Sequence, residues 1–144
     1  MSPDEHFMRA ALEEARIAYE EGEVPIGAVL VYEGRIVSRG HNQTERLSDP
    51  TAHAELLCIS SASAHLDAKY LPDCQLYVTI EPCAMCAGAI RWARVREVIY
   101  GASEEKFGYH VYSTNIIPKR CAVRGGVLAE EARALMQSFF QTRR

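Results

Sequence analysis

No apolar run in this 144-residue chain approaches the roughly 18 residues that a membrane-spanning helix needs. The first 25 residues carry too many charges for a secretory signal peptide. Both absences lead us to expect an intracellular, cytoplasmic chain. Repeats, low-complexity tracts and Pro- or Gly/Ser-rich linkers are also missing, so residues 1–144 read as one domain; two would each have an undersized core. A regular cysteine framework is missing as well. Five unevenly spaced cysteines suit disulfides poorly and favour metal or catalytic use of some of them. Nor is there a strong net charge: −3 overall argues against wholesale nucleic-acid binding. The charge is nevertheless polarised, with 6 Lys/Arg against 14 Asp/Glu in residues 1–90 and 10 against 5 in residues 91–144. The basic C-terminal third is a candidate phosphate-facing surface, scattered solvated charge being the plain alternative.

What is present is the composition of a folded chain, 48% hydrophobic and 24% charged. Ser2-Pro3-Asp4-Glu5 has the form of a helix start, with a Ser N-cap, Pro at the first helical position and a Glu closing a capping box. Phe7, Met8, Ala11, Leu12, Ala15, Ala18 and Tyr19 follow at helical spacing, and Gly22 ends the run. Residues 26–32 suit a buried strand, Glu33-Gly34 its hairpin turn, and residues 35–38 the returning strand. A polar loop (40–50) precedes a helix starting near Thr51 or Ala52 and running to about Ala64. Strands are expected at 76–80, 98–100 and, weakly, 121–123, with helices at about 83–93 and from about Leu128 onward; residues 102–120 show no period. The alternation predicts an α/β fold, a three-layer α/β/α sandwich around one sheet, with the strands flanking the 83–93 helix parallel.

Two motifs carry chemistry: His53-Ala54-Glu55 and Pro82-Cys83-Ala84-Met85-Cys86. Cysteines at i and i+3 share one helix face, and a helix N-terminus favours their thiolates. With one imidazole they make the Cys₂His set of a catalytic zinc, leaving a fourth position for water. Glu55 is then no ligand but a proton carrier. A Cys-x-x-Cys redox pair, or a pair buried as core, is the alternative for the cysteines alone; the histidine motif, in this order and each at a helix start, favours metal. Cys58, Cys74 and Cys121 lack ligand spacing and read as buried apolar residues. His6, His65 and His110 read as surface residues. Phe140 sits about 100° around its helix from Phe139, off the core seam and beside Arg143 and Arg144, where an aromatic can stack on a nucleobase.

On these motifs the chain resembles the cytidine deaminase-like superfamily, and within it the bacterial tRNA-specific adenosine deaminases. The likeness covers nearly the whole chain: residues 23–29, 49–55, 76–83, 85–89 and 100–102, and the tail from Gly126. It implies a mixed five-stranded sheet, a homodimer, and one zinc per subunit held by His53, Cys83 and Cys86, with Glu55 as proton shuttle. It also assigns Asn42, Ile26, Ala54, Pro82 and Phe140 to substrate. The implied reaction adds water at C6 of a flipped wobble adenine in a tRNA anticodon stem-loop, releases ammonia and leaves inosine. The chain departs from the pattern at Phe107-Gly108-Tyr109, where small residues are usual, at Gln141, in a shorter stretch before the final strand, and in its acidic pI of about 6.0. The competing readings are a deaminase of a free nucleobase or nucleoside and a silent zinc module; Glu55 argues against the second, since a structural zinc has no use for it.

Overall fold

A computed structural model describes residues 1–143. The order is α1 (Pro3–Glu20), β1 (Gly27–Tyr32), β2 (Arg35–His41), α2 (Ala54–Leu66), β3 (Cys74–Ile80), α3 (Ala84–Ala93), β4 (Glu97–Ala102), α4 (Tyr109–Tyr112), β5 (Ala122–Arg124) and α5 (Ala129–Thr142). The five strands form one sheet in the order β2-β1-β3-β4-β5. β1 is antiparallel to β2 and β3, whereas β3, β4 and β5 run parallel. The mixed sheet and the parallel pair flanking α3 agree with the expectation. Among the described residues, no helix is long and apolar enough to cross a membrane.

The sheet is covered on both faces. One face carries α2 and α3, whose Ala54, Cys58, Ala87 and Ile90 pack on Leu30, Leu76, Val78 and Val98. The other carries α1 and α5, with Met8 and Ala11 against Val29 and Ile99, and Leu12 and Ala132 against Ile80. Each fully buried Leu, Ile or Met side chain contributes roughly 1.5–3 kcal/mol. The Ser2 hydroxyl caps α1 by accepting the Glu5 N–H at 3.2 Å. Glu33 and Gly34, at φ 51° and 75°, make the tight hairpin between β1 and β2.

Two of the boundaries that differ from the expectation matter for the site. β2 continues through Gly40 to His41. A Cβ at Gly40 would lie 2.6 Å from the Ala54 carbonyl oxygen, so the missing side chain lets α2 rest directly on the strand. α2 starts at Ala54 rather than at Thr51 or Ala52. The Asp49 carboxylate holds the Thr51 N–H at 2.8 Å and the Thr51 hydroxyl at 2.7 Å, fixing a turn that competes with helix.

Candidate active site and metal centre

α2 and α3 present their N-termini to one point at the carboxyl ends of β3 and β4, where open α/β sheets bind ligands. The first candidate ligand of each motif is the N-cap: His53 (φ −83°, ψ 151°) for α2 and Cys83 (φ −72°, ψ 173°) for α3. Neither side chain caps its helix. Each helix start thereby forgoes the roughly 0.5–2 kcal/mol of an Asn, Asp or Ser cap, and its side chain serves the shared point instead.

His53 Nδ1 stands 3.6 Å from the Cys83 sulfur and 3.6 Å from the Cys86 sulfur. Among the described residues these three offer ligand atoms that all lie within 4.8 Å of one another. A tetrahedral zinc, with Zn–S about 2.3 Å and Zn–N about 2.0 Å, separates nitrogen from sulfur by about 3.6 Å. The spacing thus fits zinc, and the convergence of His53 on both sulfurs favours a metal ligand set over a redox pair, which needs no imidazole there. Charge agrees with geometry. The Cys83 thiol is held down at about 4 by its hydrogen bonds to Cys86 and His53, against the cost of burial. The Cys86 thiol is driven far up, first by its bond to the Cys83 sulfur and then by burial. His53 is raised mainly by its bond to Cys83. The sulfurs share a proton that a divalent cation replaces.

Glu55 lies in the first turn of α2, 3% exposed. Burial pushes its carboxyl up, with the Cys83 charge adding to the shift, while its own backbone N–H and the His53 charge oppose it. A carboxyl displaced upward beside a metal point is suited to carry protons near neutral pH.

A cavity of about 600 Å³ opens over the cluster, lined by His53, Glu55 and Cys83 as well as Asn42, Ile26 and Phe140. Asn42 is 5% exposed, and its side-chain carbonyl accepts the Ala54 N–H at 2.8 Å. Phe140 is 52% exposed, whereas Phe139 is buried against Tyr19, as the helix phase implied. The other two residues assigned to substrate stand behind the wall: the Ala54 N–H is taken by Asn42, and the Pro82 carbonyl accepts the Tyr109 N–H at 2.9 Å. Cys58, Cys74 and Cys121 are buried, with thiols pushed up by burial to about 12, 11 and 11. The Arg143 guanidinium lies 4.3 Å from the Phe139 ring centroid, and Arg144 lies outside the described residues.

Sequence reasoning missed the wall that residues 103–110 build. Glu104, Lys106 and Phe107 line the cavity together with Met136 of α5. This aperiodic segment is organised by the buried carboxylate of Glu81, which accepts the Glu104 N–H at 3.0 Å and the His110 N–H at 3.1 Å. The His110 ring lies 2.6 Å from the same carboxylate and is raised in pKa by it, so His110, exposed as expected, is also a tether. A Cβ on Gly108 would come 2.5 Å from Glu81 Oε2, which explains the glycine. Glu23 does the same on the opposite side, accepting the Glu45 and Arg46 N–H groups at 3.0 and 2.8 Å and so holding the loop that carries Thr44. Both carboxylates sit far in sequence from the loops they hold; the one visible signal is the departure at Phe107.

Residues 1–102 match the family model described as the cytidine and deoxycytidylate deaminase zinc-binding region. A tRNA-specific adenosine deaminase of Aquifex aeolicus is 50% identical over 113 residues, covering 78% of this chain and 75% of the relative. A solved structure from work on A-to-I editing by tRNA:A34 deaminases superposes with TM-score 0.84 at 44% identity, covering 90% of this chain and 98% of that one. A guanine deaminase from Nitrosomonas europaea superposes with TM-score 0.84 at 27% identity, covering 94% of this chain and 83% of that one. Fold, metal centre and comparisons agree, and the chain belongs to the cytidine and deoxycytidylate deaminase family of zinc enzymes, in the company of the tRNA-specific adenosine deaminases.

Proposed function

We propose that this enzyme converts the wobble adenosine of a tRNA anticodon to inosine, consuming one water and releasing ammonia. The observation that carries the substrate class is the open cavity of about 600 Å³, whose floor is His53, Glu55 and Cys83 and whose rim holds the half-exposed ring of Phe140. A base drawn from a single-stranded loop can enter such a cavity while its neighbours meet the rim. The named deaminases of tRNA among its relatives support the same reading.

Zinc, held by His53, Cys83 and Cys86, supplies Lewis-acid activation of water at neutral pH. The protein's own groups do the rest. Glu55 takes a proton from that water and delivers it to ring N1 as oxygen adds to C6. The same carboxylate then moves the remaining hydroxyl proton to the amino nitrogen, which departs as ammonia. Because the Asn42 carbonyl is committed to Ala54, its amide NH₂ is the end left to donate to an acceptor on the nucleoside. Phe140 offers a stacking face, and Lys106 a cation at the cavity wall.

The reading includes a homodimer in the cytoplasm. Trp92 is 80% exposed, with Met85 a further exposed apolar group on α3 and Val111 and Tyr112 exposed on α4. Val95, just past α3, belongs to the core.

A second reading, deamination of a free purine, draws on the likeness to the guanine deaminase. One assay separates the two: ammonia release from free adenine, guanine, cytosine, their nucleosides and an anticodon stem-loop. Turnover of the stem-loop alone supports tRNA editing; efficient turnover of a free base with none of the stem-loop overturns it.

A further inference from the structure

We infer that a second anion site lies at the opposite end of the sheet, a cleft framed by Arg94, Arg96 and Arg120 that takes a phosphate of the RNA backbone. The inference rests on the tRNA reading above and extends it to a surface that the deamination chemistry does not use. The cleft has a volume of about 400 Å³ and is lined by those arginines with Pro72 and Val95. Arg94 is the C-cap of α3, Arg96 immediately precedes β4, and Arg120 lies two residues before β5. The site is thus at the amino ends of the parallel strands, whereas the catalytic cavity is at their carboxyl ends. α3 joins the two; its 10 residues, at about 1.5 Å each, span roughly 15 Å.

The arginines are charged and unpaired. Among the described residues none of the three has a carboxylate within ion-pair distance, whereas Arg9, Arg46 and Arg124 all do. Glu97, the nearest acid in sequence, is committed to Arg124 at 2.6 Å. The end of α3 offers little compensating negative charge, since the N–H groups of Arg94 and Val95 cover the Arg91 and Ile90 carbonyls.

Their backbone is also fixed. The Arg96 N–H bonds the Cys74 carbonyl at 3.1 Å, and the Arg96 carbonyl takes the Ala122 N–H at 3.0 Å. The Arg94 guanidinium lies 4.1 Å from the Tyr70 ring centroid, which restrains the side chain. Three arginines lining one cleft without a paired carboxylate make it electropositive, and a phosphate accepts from their donor forks.

The test measures binding of a fluorescently labelled anticodon stem-loop over a salt series, comparing the zinc-loaded wild type with a variant carrying Arg94→Gln, Arg96→Gln and Arg120→Gln. Each phosphate that is no longer neutralised should cut the slope of log affinity against log salt by roughly 0.7–0.9. The variant should therefore bind at least roughly tenfold more weakly at low salt, with a flatter slope and unchanged zinc content. If the triple variant does not fold, Arg96→Gln and Arg120→Gln are measured singly, each expected to weaken binding at low salt and to lose part of that one step of slope. An unchanged slope overturns the inference and leaves the tRNA reading standing, because the wild type still binds. A wild type with no affinity for the stem-loop removes both. Inorganic phosphate is titrated in parallel by NMR. Phosphate-induced shifts at these arginines, together with an unchanged RNA slope in the variant, would identify a free-phosphate site and overturn the RNA assignment.

Discussion

The side-chain carbonyl of Asn42, at the end of β2, accepts the backbone N–H of Ala54, the first residue of α2, at 2.8 Å. Asn42 thus supplies from another element the cap that His53 forgoes, and it orients its own amide NH₂ as a donor. Asn42→Ala should cost about 1–2 kcal/mol in denaturant unfolding, because a buried N–H loses its acceptor. Asn42→Asp keeps an acceptor at a helix N-terminus and should retain most stability, yet lose most turnover with the NH₂ donor. Equal loss of stability in both variants would show that the capping account is wrong.

Zinc loading should release protons. The Cys86 thiol is driven up by Cys83 and by burial, and His53 is raised by its bond to Cys83, so the metal-free site holds protons that the ion must displace. Groups that must lose protons to bind weaken binding as pH falls. Calorimetric titration of the metal-free protein in buffers of different ionisation enthalpy should show net proton release and an affinity that rises with pH. Affinity independent of pH would contradict the shared-proton description.

Glu81 should prove more important than its position outside the motifs suggests. Glu81→Gln places an NH₂ where one of two backbone N–H donors now points, and should cost about 1–3 kcal/mol. Limited proteolysis should then cut first within residues 103–110. Resistance equal to the wild type would remove the tether described for this loop.

Trp92→Glu should convert the expected dimer to monomer in sedimentation at micromolar protein, since a charge replaces an 80% exposed indole on the apolar face of α3. A wild type that sediments only as monomer rejects the dimer and leaves the zinc chemistry intact.

Local features are the ones legible in the sequence. Helix and strand periods, the Glu33-Gly34 turn and the spacing of His53, Glu55, Cys83 and Cys86 follow from neighbours a few residues apart. The exposed Phe140 and the buried Phe139 illustrate that rule, since helix phase alone separates the two neighbours. What stays hidden depends on distant pairs. Glu81 holds a loop some thirty residues on, and Glu23 one some twenty on. No periodic pattern signals a buried carboxylate that collects backbone donors, so beyond the departure at Phe107 nothing in residues 102–120 points to the cavity wall.

The most direct test of the account concerns Glu55, buried at the cavity floor and no part of the ligand set. Zinc content and inosine formation in an anticodon stem-loop should be measured side by side for the wild type and Glu55→Gln. The account predicts about one zinc per chain in both proteins, with turnover in the variant reduced by roughly 10²–10⁴-fold or more, the range for losing a positioned proton carrier. A variant that keeps both its zinc and most of its turnover would contradict it.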